Sequence, residues 1–345
     1  MIAKKLLKTV FCSLAYYSGA LHIYLRYFFL RQKGYPAIII NYHGFMRPNA
    51  KTMEDVPVVR MDIDDFGSQL KFLKRYFCIV PLDVMVKTLK EKKIFEKPTI
   101  ALTADDGYKD NYDLLFPVLK ENGVSATIFL VTGFVGTDQK IWFEKLLNLI
   151  THSKVEKIIF EELYPAEEFK LNSWFGKQRA YIRFKQKLKD LSPKIRDEYI
   201  DKISRLLGDP PVDFGATMLS WGQVREMAGA GITFGAHTVR HPILSKIPVK
   251  EAKEEIALSK EKIEKELGSK TCHFSYPNGR EEDFNLELAQ YCRQIGFESV
   301  NTGCYGTNRN AEDVWALKRI GPELPLANFA FDLIKFFLKQ DKNAF

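Results

Sequence analysis

Apolar runs that do not alternate constrain this chain most. Pro36-Ala37-Ile38-Ile39-Ile40-Asn41-Tyr42-His43-Gly44 stays apolar until it stops in Tyr-His-Gly. A strand with one wet face alternates apolar and polar side chains. An unbroken run therefore predicts a strand covered on both faces, as in parallel sheets. Residues 99–103 and 125–131 are further strand-type runs. Helical spacing lies between them. Phe66, Leu70, Leu73 and Phe77 recur over 64–76, a second helix is expected over 84–93, and 111–122 ends at Gly123, a good stop signal. This β-α-β alternation predicts a parallel sheet or barrel.

The same rhythm returns late in the chain. A helix with a Ser220 cap is expected over 220–230, a strand over 232–236, and a charged helix over 250–267 closed by Gly268. A strand over 273–277, a helix over 286–295, short strands near 298–300 and 317–320, and a terminal helix over 328–339 complete it. Residues 140–215 break the pattern. They hold an apolar helical segment with Trp142 and Phe143, then a Lys-rich helical stretch over 177–207 ended by Gly208-Asp209-Pro210-Pro211. The expectation is a helical insertion or lid whose charges form a solvated face.

Chemistry gathers at strand ends. The run through Thr103 and Ala104 ends in Asp105-Asp106-Gly107. Adjacent carboxylates repel, and each is costly to desolvate. Together at a strand end they predict a held cation or two carboxylates with different tasks. A polar loop cap is the plain alternative, since Asp and Gly are ordinary turn residues. Gly235-Ala236-His237-Thr238-Val239-Arg240-His241-Pro242 places two imidazoles four positions apart. Two His and one Asp are a ligand set for catalytic zinc that leaves a position open for water. Pro242 disfavours the α conformation at His241, so a turn is expected there. His43 has two readings, a structural strand-end residue or a member of a site, because strand ends carry the chemistry in parallel barrels.

On these motifs the chain resembles the polysaccharide deacetylases, carbohydrate esterase family 4, with the NodB homology domain. The family's Thr-Phe-Asp-Asp-Gly motif is similar to Thr103-Ala104-Asp105-Asp106-Gly107, and its His-Ser/Thr-x-x-His motif to His237 through His241. A third motif resembles Phe274-Ser275-Tyr276-Pro277-Asn278-Gly279, and the likeness spans residues 36–322. It implies a distorted (β/α) barrel of about seven strands carrying the helical insertion. It implies a metal-dependent hydrolase that removes acetyl groups from N-acetylated sugars of a polysaccharide or glycolipid. By this resemblance Asp106, His237 and His241 hold a divalent metal, zinc being expected, and Asp105 is the general base. Many members carry the acid His near the end of the domain, but no His follows His273 here. A subgroup of poly-N-acetylglucosamine deacetylases carries it on the first strand, and His43 resembles that arrangement. Tyr276, Pro277 and Asn278 are expected to wall the substrate groove, with a backbone N–H near Asn278 facing the oxyanion. Ser275 stands where many members have an Arg that orients the catalytic Asp. Arg319 is the expected substitute, and a substrate-groove residue. Deacylation of another amide or an O-acetyl ester stays open, as does carbohydrate binding by a dead site.

Charge separates the N-terminus from the rest. Residues 1–53 hold Lys4, Lys5, Lys8, Arg26, Arg31, Lys33, Arg47 and Lys51 and no Asp or Glu, so the net charge of +8 resides there. The remainder is balanced, which argues against a nucleic-acid partner. Residues 9–25 are apolar, and Tyr24, Tyr27, Phe28 and Phe29 follow or close the segment. An interfacial helix on anionic lipid fits this composition best. A true span, a signal sequence and a docking helix remain alternatives. The expected location is the cytoplasmic side of a membrane, peripheral, or else export with residues 1–30 as anchor or signal. Five cysteines with no Cys-x-x-Cys speak for buried thiols in a reducing compartment. Three segments are expected: 1–33 at the membrane surface, 34–326 as the deacetylase domain with its insertion, and 327–345 as a C-terminal helix and tail.

Overall fold

The computed structural model describes residues 2–27, 29–31, 34–48, 60–161, 167–210 and 217–338. Phe28, Lys33, Lys51, Pro211 and Lys339, which the expectations above include, lie outside the described residues. Seven strands pair side by side in chain order, all parallel: β1 (Ala37–Tyr42), β2 (Thr99–Ala104), β3 (Thr127–Leu130), β4 (Thr233–Ala236), β5 (His273–Ser275), β6 (Ser299–Tyr305) and β7 (Leu317–Arg319). The ring nearly closes where Asn41 N donates to Ile320 O at 2.9 Å and Ile320 N to Ile39 O at 2.9 Å. The unbroken apolar runs are explained by this geometry. All six residues of β2 are buried, because strands face the core on one side and helices on the other.

The barrel is distorted at one place. The two-residue strand Cys78–Ile79 pairs with Thr99 and Ile100, so β3 meets β2 only at Thr103 and Ala104. Among the described residues twelve helices surround or extend the ring. The first two are α1 (Ile2–Tyr17) and α2 (Ala20–Tyr27). Next come α3 (Ile63–Tyr76), α4 (Leu82–Lys90) and α5 (Phe116–Asn122). The insertion supplies α6 (Trp142–His152), α7 (Trp174–Lys189) and α8 (Pro193–Leu206). The last four are α9 (Trp221–Gly229), α10 (Val249–Leu267), α11 (Leu286–Gln294) and α12 (Leu326–Leu338). The Ser220 cap is a full capping box: Gln223 N donates to Ser220 Oγ at 3.2 Å, and Ser220 N to Gln223 Oε1 at 2.9 Å.

Three local expectations are corrected. The segment over 111–122 opens as a π turn, Asn111–Leu115, before α5, because Pro117 lacks the N–H that the regular ladder needs. The stretch over 177–207 is two helices, broken before Pro193, which starts α8. The insertion is not all helical. Lys157–Phe160 and Glu167–Lys170 form an antiparallel pair whose residues alternate between exposed and buried. That pair, α6, α7 and α8 enclose a separate apolar cluster with Phe160, Phe169 and Phe184.

The N-terminal segment is two helices broken at Gly19, where φ is +84°. α1 lies along α12 with an inward face of Lys8, Thr9 and Cys12. Lys8 Nζ reaches Glu323 at 3.1 Å and Asp332 at 2.6 Å, Asn328 Nδ2 donates to Thr9 Oγ1 at 3.0 Å, and Cys12 is buried. Leu6, Leu7, Val10, Phe11, Leu14 and Tyr17 face outward. No helix among the described residues is long and apolar enough to cross a membrane.

Candidate active site

The site is assembled at the C-terminal ends of the strands, where parallel barrels carry chemistry. At the end of β2 the ladder continues one step, with Asp105 N donating to Tyr42 O at 3.0 Å. Asp106 and Gly107 then both take positive φ, +77° and +78°, and turn the chain sharply. Asp tolerates this region better than most residues. Gly107 has little choice: a Cβ there would lie 2.6 Å from Leu130 Cδ2.

β4 delivers the imidazoles on a turn, as Pro242 predicts. Thr238 and His241 have φ of +66° and +58°. His237 Nδ1 donates to Ser275 O at 2.7 Å, which leaves Nε2 with a free lone pair facing the site. Thr238 Oγ1 accepts from His241 N at 3.0 Å. Glu255 of α10, itself buried, accepts from Val239 N at 2.8 Å and Arg240 N at 2.9 Å, and clamps the turn.

Asp106, His237 and His241 are thereby brought together, with ligand atoms all within 4.8 Å of one another. His241 Nε2 and His237 Nε2 lie 3.3 Å and 3.7 Å from Asp106 Oδ1. A tetrahedral ion with bonds of about 2.0–2.2 Å needs ligand edges of about 3.3–3.6 Å. Asp106 Oδ1 is buried and receives no hydrogen bond. A buried oxygen with no donor is costly, and a cation removes that cost. The residues present fit a divalent ion. Burial would raise the Asp106 pKa, but the imidazoles beside it pull it down to about 2. Burial pushes His237 down to about 4, which favours the neutral form that binds metals.

Asp105 faces a different environment. Arg319 donates to both its oxygens at 2.8 Å, Nη1 to Oδ1 and Nη2 to Oδ2, and Asn41 Nδ2 donates to Oδ2 at 3.0 Å. Burial alone would raise this carboxyl, but the guanidinium overrides it and holds it well below the usual carboxylate range. His43 Nε2 lies 3.9 Å from Asp105 Oδ2 at the open rim. Arg319 Nε donates to Thr302 O at 2.7 Å, Nη1 also to Asn41 Oδ1 at 2.8 Å, and Nη2 also to Ser275 Oγ at 3.1 Å. These contacts use all five of its N–H donors. Arg319 lines the cavity and is buried, with its donors committed to Asp105, Asn41, Ser275 and Thr302.

A cavity of about 550 Å³ opens over these groups. Asn278 lines it. Tyr276 and Pro277, expected on its wall, do not: both are buried, and Tyr276 stacks on Phe284 with ring centroids 4.5 Å apart. The strand apex turns that ring into the core. His273 is far from the chemistry, bonded to Ser299 Oγ and Asp83 Oδ1, each at 2.8 Å. His22 bonds Tyr76 Oη, and His152 bonds Asn148 O. Several lining residues escaped the sequence reading. Trp142 and Phe143 come from α6, Lys185 and Lys189 from α7, and Arg280 and Tyr305 from loop and strand ends. Sequence holds no signal for them, because only the folded insertion brings α6 and α7 over the barrel mouth.

A nearly closed seven-stranded parallel barrel thus carries an Asp-His-His cluster beside an Arg-held carboxylate. The profile of the family described as Polysaccharide deacetylase matches residues 92–300, more than half of the chain, and the chain belongs to that family. It is similar to the Bacillus subtilis (strain 168) protein YxkH, a polysaccharide deacetylase by name, at 29% identity over 33% of this chain and 38% of that protein. It is similar to poly-beta-1,6-N-acetyl-D-glucosamine N-deacetylase from Staphylococcus aureus at 28% identity over 32% of this chain and 40% of that protein. These matches thus span well under half the length of the curated relatives. The Streptococcus pyogenes deacetylase PplD, solved in complex with acetate, covers 89% of this chain and 100% of its own at a TM-score of 0.56 and 19% identity. IcaB from Ammonifex degensii covers 86% and 98% at 0.56 and 18%. At these identities the likeness is one of fold.

Proposed function

We propose that this chain is a metal-dependent hydrolase removing acetyl groups from N-acetylated sugars of a polysaccharide or glycolipid. The observation that carries the reading is the division between two adjacent carboxylates. Asp106 offers an undonated oxygen to two imidazole nitrogens, while Asp105 is turned onto Arg319. The substrate class is supported by the S. aureus relative, a glycan N-deacetylase by name.

In this reading Asp106, His237 and His241 hold the ion, and the nitrogen-rich donor set suits zinc. Bound there, a divalent ion supplies a Lewis acid for the amide carbonyl and lowers the pKa of water. Asp105 accepts the proton of the attacking water. Arg319 and Asn41 keep it ionised and aimed, at some loss of basicity. His43, at the rim, protonates the departing amine. A backbone N–H near Asn278 faces the oxyanion. Residues 34–326 are the catalytic domain, flanked by 1–33 and by 327–345.

The same reading places the protein on an anionic membrane, peripheral and on the cytoplasmic side. Its support is the outward apolar face of α1 together with a basic N-terminus free of acidic residues. Acetate release from N-acetylhexosamine polymers and lipid-linked sugars tests the chemistry. Release that chelation abolishes and zinc restores is expected. No acetate from any member of the panel overturns the reading.

A further inference from the structure

Three cations at the cavity have no part in the chemistry above. Lys185 and Lys189 stand four residues apart on α7, so they rise from one helix face, and Arg280 follows β5 on the other wall. Like charges at this spacing destabilise a helix. Elsewhere the chain pairs such lysines: Lys262 reaches Glu266 at 2.8 Å, and Lys253 reaches Glu287 at 2.7 Å. Among the described residues Lys185 and Lys189 make no ion pair. Lys185 Nζ rests 4.9 Å from the Phe143 ring centroid and 5.6 Å from that of Tyr181.

Of the nearby acids, Asp190 is exposed, Glu144 accepts from Tyr108 Oη and lies 3.7 Å from Arg60, and the others are committed. Asp105 is neutralised by Arg319, and Asp106 belongs to the Asp-His-His cluster. Asp283 accepts from Arg280 N at 2.9 Å and from the Asn278 amide. Glu282 is 3.7 Å from Arg280, with both side chains mostly in solvent. Burial pushes both lysines below the ordinary range, and Arg280 pushes Lys189 further. Acids face these cations, Asp106 and Glu144 toward Lys185 and Asp283, Asp190 and Glu282 toward Lys189, yet among the described residues none pairs with either lysine, which leaves both Nζ groups open to an anion that arrives with the ligand.

We propose that Lys185, Lys189 and Arg280 form a phosphate subsite, so that the N-acetylated sugar this enzyme takes carries a phosphoryl group. A phosphoryl group brings more than one negative charge and three acceptor oxygens, which matches three cations better than a single carboxylate does. Trp142, Phe143 and Tyr305 leave apolar surface in the same cavity for a sugar ring. The acetamide half of this inference rests on the deacetylase reading, and the phosphate half does not. Two sources share the chemistry, a soluble sugar phosphate monoester and a lipid-linked sugar diphosphate, each with more than one negative charge.

Calorimetry on the full-length protein with its native metal decides. N-acetylglucosamine 1-phosphate is compared with the methyl glycoside of N-acetylglucosamine. The phosphate form should bind about 10-fold more tightly or better, the scale of one charge-assisted contact. The advantage should shrink with added salt, fall toward one in K185Q and K189Q, and persist in K185R. Should K185Q fail to fold, K189Q and R280Q alter more exposed positions. Equal affinities, or an advantage that survives K185Q with K189Q, overturn the proposal. Competition by a detergent-dispersed lipid-linked sugar diphosphate, stronger than by the soluble sugar phosphate, would assign the lipid source. Acetate release is read in parallel. Neutral polymers cleaved as well as phosphorylated sugars would overturn this inference and leave the deacetylase reading standing. No release from any sugar would overturn that reading while the binding comparison still decides the subsite.

Discussion

Arg319 and Asp105 show how one residue sets another's chemistry. A planar fork grips both carboxylate oxygens, and its remaining donors tie Thr302, Asn41 and Ser275 into the same frame. Lysine cannot reproduce that fork. Arg319→Lys is expected to lower turnover by about 100-fold, the scale of a general-base contribution, and to move the acid limb of the pH–rate profile upward. The direction follows from burial, which raises the Asp105 pKa once the guanidinium is gone. A profile unmoved by the substitution would place Asp105 outside the reaction. His237 makes a pH prediction of its own. Its folded pKa is about 4, against about 6.5 when unfolded, so the unfolded chain binds more protons between those values. The His237 contribution to the stability of the chelated protein should fall by about 3 kcal/mol as pH drops from 6.5 to 4. It is read as the pH-dependent difference between wild type and His237→Gln in denaturant titrations, since Asp110, pushed up to about 7 by burial, acts with the opposite sign in both proteins. Asp105, Asp106, His237 and His241 were legible in the sequence, because each sits in a short motif at a strand end. Tyr276 was misread, because the same motif says nothing about which way a ring turns. Glu255 was illegible: it is one acidic residue among many on a charged helix.

At the scale of elements, the turn over 238–241 is the piece the site depends on most. It holds two positive-φ residues, and positive φ costs free energy at any residue with a side chain. Glu255 offsets that cost by accepting from Val239 N, Arg240 N and Arg240 Nε. Glu255→Gln keeps one acceptor oxygen and removes the charge. Metal affinity is expected to drop by about 10- to 100-fold, as for other residues that orient ligands from behind, with helix content unchanged. Unchanged affinity would make the clamp dispensable. The insertion is the element that sequence described least well. Its hairpin alternates over only four residues per strand, too short to stand out, and its lysines read as a solvated face. Two of those lysines instead line the cavity, because α6 and α7 cross the barrel mouth.

At the scale of the molecule, the N-terminus is both packed into the body and apolar on its outward face. Leu25 and Phe29 are fully buried, Leu21 nearly so, and Phe29 packs against Tyr35, Phe77 and Phe337. Burying each such side chain contributes about 1.5–3 kcal/mol, so losing three removes about 5–9 kcal/mol. Whole domains are stable by only about 5–15 kcal/mol. A chain starting at residue 34 is therefore expected to be marginal or unfolded, which makes truncation a poor test of membrane binding. Substitutions on the outward face avoid this difficulty. Leu7 and Leu14 are 71% and 66% exposed, lie on the face opposite Lys8 and Cys12, and among the described residues belong to no buried core cluster. Leu7→Gln with Leu14→Gln should leave the melting temperature and the release of acetate from a soluble sugar unchanged. Flotation with anionic vesicles should be largely lost. The wild-type protein should float with anionic vesicles and less so as salt rises, since the Debye length is about 8 Å at physiological ionic strength and shorter above it. Neutral vesicles should retain it poorly, because the apolar face supplies depth and the basic N-terminus supplies attraction. Wild-type protein that ignores anionic vesicles would show that the outward face of α1 serves another contact.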